Sequence, residues 1–532
     1  MLTVFISTAL VALALRAIGD SFWHPLNRFP GPLLARWTTW YRGYYDLVKK
    51  GAWLRHLDDL HAEYGPIVRV GPNELHFNDP RAYGEIYAPG SRFHKDSVLY
   101  GIFGHAASSV FTTPDPQVAA VIRNIIAPYL TKRAVISREA IVREKILKLI
   151  SYLKTYTREY GVPANLDHAL PSTTLDVLTA LIFKECFNVL ETPAFDHPFV
   201  HHSKPSVLNL WITKYLPNTN TPILGAFTRL MSRMSPVAPV LAAQFKLVEQ
   251  ELDAALQSEH NDLSDKPSTG VPLYRFLIDR IHEQILRPGL SQETVDQLQN
   301  LLQRRRLLGE GINMRFAGTD TVANAVLVGI RYLLTHRIVL DQLIRELDDA
   351  WPDGSDGEIS YETLEKLPFL TAVIKESLRL SHGVVTPAGR VVRSENAVIL
   401  GESIPSGTTV AMSSTFIHLN ADLFPNPKQF NPARWLRSTS GVDMPDQNKP
   451  QLEVNSERFL VSFSRGPRSC VGIHLAYCEL FIIFGYLFRK LELTIASTDQ
   501  DPDLPLHFDD FFLPVYKEEP LCAVFVKERV FY

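Results

Sequence analysis

The chain has 532 residues, of which 46% are hydrophobic and 21% are charged, and its formal net charge is −3. This apolar content excludes intrinsic disorder as the main state, because burial of so many side chains offsets the entropy lost on folding. The small negative charge provides no general basic field for binding nucleic acid. The cysteines are too few and too scattered for a disulfide framework and form no C-x-x-C zinc pair; they are Cys186, Cys470, Cys478 and Cys522. We therefore expect reduced thiols in a cytosol-facing chain.

The N-terminus carries a long apolar run. Residues 1–19 contain no charged side chain before Arg16, and a helix of that length spans about 28 Å, close to the roughly 30 Å hydrocarbon core of a bilayer. We predict a membrane anchor helix at 1–19, a proline-rich exit segment at 20–35 and one large domain at 36–532. A cleaved signal peptide is the alternative, which the missing basic leading region disfavours.

Helical periodicity dominates the large domain. A short strand is predicted at 65–72, between turn residues. Apolar residues three and four positions apart predict helices over much of 115–260 and then at 291–335, 337–350 and 368–382.

The C-terminal part changes character. Strands around a turn region are predicted at 398–400 and 408–412, and a strongly apolar helix at 471–487 follows a Gly/Arg/Ser-rich loop at 463–472. No β–α–β alternation is present, so the pattern predicts a mainly α fold with a minor β-sheet region.

The loop at 463–472 places one cysteine just before a helix. Unpaired backbone N–H groups and the positive end of the helix dipole lower the pKa of such a thiol and favour the thiolate of Cys470. Gly466 and Gly472 let the backbone approach a flat ligand, and Arg468 can pair with a carboxylate on it. A haem iron fits, because it needs one protein thiolate beside the four porphyrin nitrogens. A buried free cysteine is the alternative.

This loop reads F-x-x-G-x-R-x-C-x-G and resembles the haem-binding signature of the cytochrome P-450 superfamily. The resemblance implies a P-450 fold with a long central helix over the haem, and it makes 36–532 the haem-thiolate catalytic domain. It also implies heme b as the cofactor, with Cys470 as the axial thiolate ligand of its iron. The further cofactor-binding residues implied in this loop are Phe463, Gly466, Arg468 and Gly472.

A second segment matches the E-x-x-R motif of the same family. Glu376 and Arg379 are three positions apart on a mostly apolar helix, so they can pair in a buried setting that requires a further partner. The family supplies that partner from a downstream P-x-R segment, which Arg434 fits. The resemblance implies that Glu376, Arg379 and Arg434 form a structural lock behind the haem.

Residues 317–321, Ala-Gly-Thr-Asp-Thr, resemble the family's oxygen-activation motif. Gly318 has no side chain, so dioxygen can lie against the helix at a local distortion. Thr321 offers a hydroxyl donor and Asp320 can relay protons, which heterolytic cleavage of the O–O bond requires. Taken alone, the motif favours an ordinary helix that happens to contain Asp-Thr, and the occurrence of three motifs in the family's order reverses that interpretation.

Other contacts follow from the resemblance. Arg390 lies where family members place an arginine on a haem propionate, and Arg123 lies where they carry W-x-x-x-R or H-x-x-x-R. The aromatic position is Ala119 here, which departs from the pattern and leaves a surface arginine as the alternative. The expected lining of an apolar substrate pocket is residues 98–111, Met314, Ala317, 384–386 and 511–513.

The resemblance implies a monooxygenase that inserts one oxygen atom from dioxygen into a hydrophobic small molecule. Details resemble fungal trichodiene-oxygenase-like enzymes, so a terpenoid or another secondary-metabolite intermediate is the expected substrate. Electrons are expected from NADPH through a separate flavoprotein reductase, because no Gly-rich dinucleotide fingerprint follows a strand. The reductase is expected on the cysteine side, near Arg465. The expected location is the endoplasmic reticulum membrane, with one N-terminal anchor and the catalytic domain facing the cytosol.

Two rival functions remain open from the sequence. A haem-thiolate isomerase or peroxygenase needs no proton relay, so Asp320 and Thr321 favour the monooxygenase. A haem-binding sensor without catalysis needs neither an oxygen groove nor an apolar substrate pocket.

Overall fold

The computed structural model describes most of the domain but not the N-terminal run. The described residues are 19, 23–91, 93–104, 108–201, 211–212, 214–215, 238–257, 271–352, 357–436, 456–496, 506–517 and 521–529. The predicted anchor at 1–19 therefore lies outside them except for Gly19. Within these ranges no single helix is long and apolar enough to cross a membrane. One pair of consecutive helices, Arg304–Thr335 and Arg337–Ala350, is long and apolar enough when taken together, but the two are bent by 109° relative to each other.

Helices form most of the described chain, as the periodicity predicts. In the first half they are α1 (Leu33–Trp37), α2 (Trp40–Gly43), α3 (Trp53–Tyr64), α4 (Pro80–Ile86), α5 (Ser97–Gly101), α6 (Pro116–Ile126), α7 (Lys132–Ile136), α8 (Glu139–Tyr160), α9 (Leu166–Ile182) and α10 (Pro198–His201). In the second half they are α11 (Ala238–Gln257), α12 (Leu273–Ile285), α13 (Gln292–Leu301), α14 (Arg304–Thr335), α15 (Arg337–Ala350), α16 (Tyr361–Leu364), α17 (Pro368–Ser381), α18 (Ser414–His418) and α19 (Ile473–Lys490).

The strands form small sheets. They are β1 (Ile67–Gly71), β2 (Glu74–Phe77), β3 (His94–Lys95), β4 (Ala164–Asn165), β5 (Arg390–Val391), β6 (Ala397–Ile399), β7 (Glu402–Ile404), β8 (Thr409–Ala411), β9 (Leu491–Ile495), β10 (Phe508–Phe511), β11 (Leu513–Tyr516) and β12 (Ala523–Glu528). The largest sheet has the order β1-β2-β8-β5-β3, in which β2 and β8 are parallel and the other pairs antiparallel. A second sheet has the order β4-β12-β9.

The long helix α14 runs through the main hydrophobic core. It packs against α9 on one side and against α17 and α19 on the other. Gly329 allows the second contact, because a Cβ there would lie 2.3 Å from Ser377 Oγ and 2.5 Å from Phe484 Cζ. The close approach of three helices therefore depends on a missing side chain.

Two of the predicted secondary-structure segments differ in the structure. The helix predicted over 291–335 is divided, because Gln303 adopts an extended conformation (ψ 130°) between α13 and α14. The turn region after 400 contains the additional strand β7, which pairs with β6. In the first case the break falls in the polar run 303–306, which contains neither glycine nor proline and so carries no strong helix-breaking signal.

We expect Gly329→Ala to destabilise the protein by about 1–3 kcal/mol, because the added methyl group overpacks the contact between α14, α17 and α19. Gly84→Ala is the matched control. Position 84 is helical, and no atom of its surroundings lies within 4 Å of the place that a Cβ would take, so the alanine variant is expected to be neutral or slightly more stable. Urea unfolding of both variants measures the difference, and equal stabilities would contradict this account of the packing.

Candidate active site

The loop before α19 holds Cys470 in a defined place. Its backbone N–H donates to the carbonyl of Phe463 at 2.9 Å, which closes the loop on itself. Gly466 adopts a positive φ of 68°, and a Cβ there would lie 2.5 Å from the carbonyl oxygen of Tyr87. Only glycine satisfies both conditions, so the loop is fixed against the segment that follows α4.

The Cys470 side chain is exposed, yet the protein atoms around its thiol desolvate it as they would a buried group. Burial raises the pKa of the thiol, and the backbone N–H of Gly472 and the charge of Arg123 oppose that effect. The sequence predicts that the helix N-terminus lowers the pKa of this thiol. In the structure the effect of burial is larger, so the pKa is raised instead. Since the side chain is accessible but desolvated, we infer that it lines an internal cavity. A metal cation at the sulfur would deprotonate it despite the burial.

Four basic residues gather beside this loop: Lys95, Arg123, Arg390 and Arg468. Lys95 and Arg390 pair directly across β3 and β5. Burial lowers the pKa of Lys95 well below its usual range, and the charges of Arg468, Arg390 and Arg123 lower it further. Burial also lowers the pKa of Arg468 to about 10, with Arg390 adding to the effect. Buried like charges are costly, so the cluster requires anions.

The contacts of these cations show what they can bind. Arg123 Nη1 donates to the carbonyl of Ser469 at 2.7 Å, next to Cys470. Arg390 Nη1 donates to the hydroxyl of Tyr100 at 3.2 Å. Arg468 Nη1 is buried and has no hydrogen-bond partner among the described residues. A planar ligand with carboxylates beside Cys470 meets these requirements, and a haem with its two propionates is such a ligand.

Glu376, Arg379 and Arg434 lie together on the C-terminal half of α17 and in the segment that follows α18. Glu376 Oε1 accepts hydrogen bonds from Arg379 Nη2 at 2.8 Å and from Arg434 Nε at 3.0 Å. Burial pushes the pKa of Glu376 up, but the hydrogen bonds and charge of Arg379 and the charge of Arg434 hold it below its ordinary value. Trp435 Nε1 also donates to Glu376 Oε2 at 2.9 Å, a contact that the motif does not include.

The predicted oxygen-activation segment lies in the middle of α14. The Thr321 hydroxyl donates to the carbonyl of Ala317 at 2.7 Å. The helix is α-helical throughout, so the local distortion expected at Gly318 is not observed. A Cβ at Gly318 would lie 3.0 Å from Leu178 of α9, which shows that this glycine permits close packing of the two helices. Asp320 is half-buried. Burial lowers the pKa of the nearby Arg315 to about 10, and the negative charge of Asp320 partly offsets that effect.

Two of the predicted pocket segments contact each other. The rings of Phe103 and Phe111 are 5.3 Å apart, and the ring of Phe512 lies 4.9 Å from Phe103 and 6.0 Å from Phe111. The carbonyl of Phe512 accepts the N–H of Val385 at 3.0 Å, which brings the third segment to the same place. These residues form an aromatic wall of Phe103, Phe111 and Phe512.

Sequence reasoning missed Lys95, and it assigned no contact to Tyr100, which lies within the predicted segment 98–111, or to Trp435. Lys95 belongs to the two-residue strand β3, which is too short to give a periodic signal. Trp435 directly follows Arg434, so a longer form of the P-x-R segment could have indicated it.

A thiol with surrounding cations of this kind is the arrangement that a haem-thiolate protein requires. Comparisons with known proteins then give the family: the model described as cytochrome P-450 matches residues 32–519, and the chain belongs to that family. The heme domain of cytochrome P450DA has the same fold, with a TM-score of 0.69 at 18% identity over 94% of this chain and 98% of that chain.

Three similar curated proteins are fungal. The tryptophan 6-hydroxylase fscE of Fusarium equiseti is 33% identical over 94% of this chain and 92% of its own length. The cytochrome P-450 monooxygenase pbrB of Penicillium brasilianum is 30% identical over 94% of this chain and 92% of its own. A conidiogenone synthase of Penicillium rubens is 31% identical over 90% and 89%. The chain is accordingly a P-450 monooxygenase of the fungal secondary-metabolism type.

We expect Glu376→Gln to destabilise the protein by about 3–5 kcal/mol and to accelerate haem loss, because two buried arginines lose their counter-charge. The control is Lys375→Gln, which removes a partly exposed pair with Glu457 and is expected to cost less than about 1 kcal/mol. Urea unfolding and the retention of haem after gel filtration measure both effects. A Glu376 variant as stable as the control would contradict the role of the lock.

Proposed function

We propose that this monooxygenase takes electrons from NADPH through a separate flavoprotein reductase and oxidises a hydrophobic intermediate, with terpenoids as the first candidates. The observation that carries the proposal is the accessible, desolvated thiol of Cys470 beside four cations. When bound there, a heme b supplies the redox chemistry that cleaves dioxygen.

The chain's own residues have distinct tasks in this proposal. Cys470 would ligate the iron, and Lys95, Arg123, Arg390 and Arg468 would hold the propionates. Asp320 and Thr321 would pass protons from the α14 side, with the Ala317 carbonyl orienting the Thr321 hydroxyl. The aromatic wall would exclude water from the site, because its rings present few polar atoms to the substrate.

The aromatic wall supports a hydrophobic substrate. Phe316 and Ala317 of α14 are exposed on a helix that is otherwise largely buried, whereas Met314, also expected in the pocket lining, is buried in the core. Co-expression with a reductase and a panel of terpenoid scaffolds, with tryptophan included because of the similar hydroxylase, tests the substrate class. Product formation from tryptophan alone would reject the terpenoid assignment.

Membrane attachment is also part of the proposal. Large apolar side chains are exposed between residues 23 and 48: Trp23, Leu33, Leu34, Trp37, Trp40, Tyr44 and Val48. Such side chains, with tryptophans among them, are typical of surfaces that contact lipid headgroups. These side chains support contact with a membrane beside the proposed anchor at 1–19. The endoplasmic reticulum and a cytosol-facing domain complete the proposal, and sedimentation of the full chain with microsomes tests the attachment.

The reductase is proposed to dock on the cysteine side. Arg465 is half-buried there, and burial lowers its pKa, with the charge of Arg458 acting in the same direction. A requirement for NADPH, reductase and dioxygen together distinguishes the monooxygenase from a peroxygenase or an isomerase. A sensor would show no turnover under any of these conditions.

We expect Cys470→Ala to abolish the red-shifted Soret band of the reduced carbon monoxide complex, because no other thiolate is placed to replace it in the described loop. Cys186→Ala is the control and should keep the band, since Cys186 lies after α9, where its thiol contacts Thr179 and the Asp176 carbonyl. A thiolate band in the Cys470 variant would overturn the ligand assignment.

We expect Thr321→Ala to retain haem but to divert about half or more of the NADPH electrons to hydrogen peroxide, because the hydroxyl group of the proposed proton relay is lost. Thr319→Ala is a matched control. Thr319 makes the same hydroxyl-to-carbonyl bond, to Arg315 at 2.7 Å, but it is buried against α9, where its own carbonyl accepts from Thr174. Peroxide and product are measured together, and equal coupling in both variants would argue against the relay.

A further inference from the structure

Residues 109–113 form a tight turn between the substrate side and the cofactor side. The Ser109 carbonyl accepts the N–H of Thr112 at 3.2 Å and the N–H of Thr113 at 2.9 Å, and the Thr113 hydroxyl at 2.8 Å. All three of these residues are buried. These hydrogen bonds hold the turn together, so a displacement of one of its residues also displaces the others.

The turn presents its carbonyls to two of the four cations. Arg468 Nη2 donates to the carbonyls of Val110 at 3.0 Å and Thr113 at 2.6 Å, and Lys95 Nζ donates to that of Phe111 at 2.5 Å. These bonds occupy Nη2 of Arg468 and leave Nη1 for an anion. The orientation of the Arg468 guanidinium thus depends on where the turn lies.

Glu310 of α14 holds the same turn from the other side. Its Oε1 accepts the N–H of Val110 at 2.6 Å, and its side chain is only 5% exposed. The backbone of one residue, Val110, consequently connects a buried carboxyl group on α14 to a cation of the cysteine loop: its N–H contacts Glu310 and its carbonyl, in the next peptide group, contacts Arg468. The ring of the next residue, Phe111, belongs to the aromatic wall.

We propose that Glu310 is a positioning residue that, through the backbone of Val110, orients Arg468 toward a haem propionate. The turn at 109–113 then links the substrate wall to the propionate cations. This inference rests on haem binding at Cys470. It predicts that Glu310 affects haem affinity only as long as Arg468 is present.

A double-mutant cycle tests the proposal with the haem-loaded protein. The variants are Glu310→Leu, Arg468→Gln and their combination, and the measurement is the rate of haem transfer to apomyoglobin. Arg468→Gln should accelerate haem loss about tenfold. Glu310→Leu should accelerate it about fivefold in the wild-type background and less than twofold beside Arg468→Gln. Glu310→Gln is the control and should stay within twofold of wild type, because its amide carbonyl still accepts the Val110 N–H.

The alternative outcome is an equal acceleration in both backgrounds, which would show a purely structural role and overturn the proposal. Should Glu310→Leu fail to fold, Val110→Pro removes the same hydrogen bond from the donor side and replaces it in the cycle. The failure of the proposed function is separate: a protein whose reduced carbon monoxide complex lacks the thiolate band rejects haem ligation itself, whatever the cycle shows.

Discussion

The arrangement of the site depends on one buried arginine. Arg379 has five N–H donors, and the structure provides an acceptor for each: two carboxylate oxygens of Glu376 and the carbonyls of His418, Pro427 and Gln429. A guanidinium with no exposed surface is tolerable only when every donor is satisfied. The helix α17 is therefore tied to the chain that follows α18.

This constraint reaches the cysteine loop through the end of α17. The Ser462 hydroxyl donates to the Leu378 carbonyl at 2.8 Å, and Gly383 packs on the Ser462 carbonyl, where a Cβ would lie at 2.8 Å. Ser462 directly precedes Phe463, whose carbonyl accepts the Cys470 N–H. An ion pair remote from the reaction thus determines where the sulfur lies, which explains how a structural motif and a catalytic loop are parts of one unit.

Much of this could be predicted from the sequence, because the motifs fix chemistry and chain order. The spacing of Glu376 and Arg379 predicts their pairing, and the loop pattern singles out Cys470. The electrostatic balance could not be predicted in the same way. The effect of burial on the pKa of Cys470 comes from atoms remote in sequence, and Lys95 joins Arg390 only because β3 and β5 pair. Likewise, the role of Gly318 follows from its contact with Leu178, which no local pattern encodes.

The contact between Gly318 and Leu178 has a consequence for redesigning the enzyme. Since the γ and δ carbons of residue 178 set how near α9 can come to α14, the volume of that side chain controls the spacing of the two helices beneath Asp320 and Thr321. Variant libraries at position 178 would therefore change the positions of Asp320 and Thr321 relative to the active site. The residues that contact oxygen or substrate would remain unchanged.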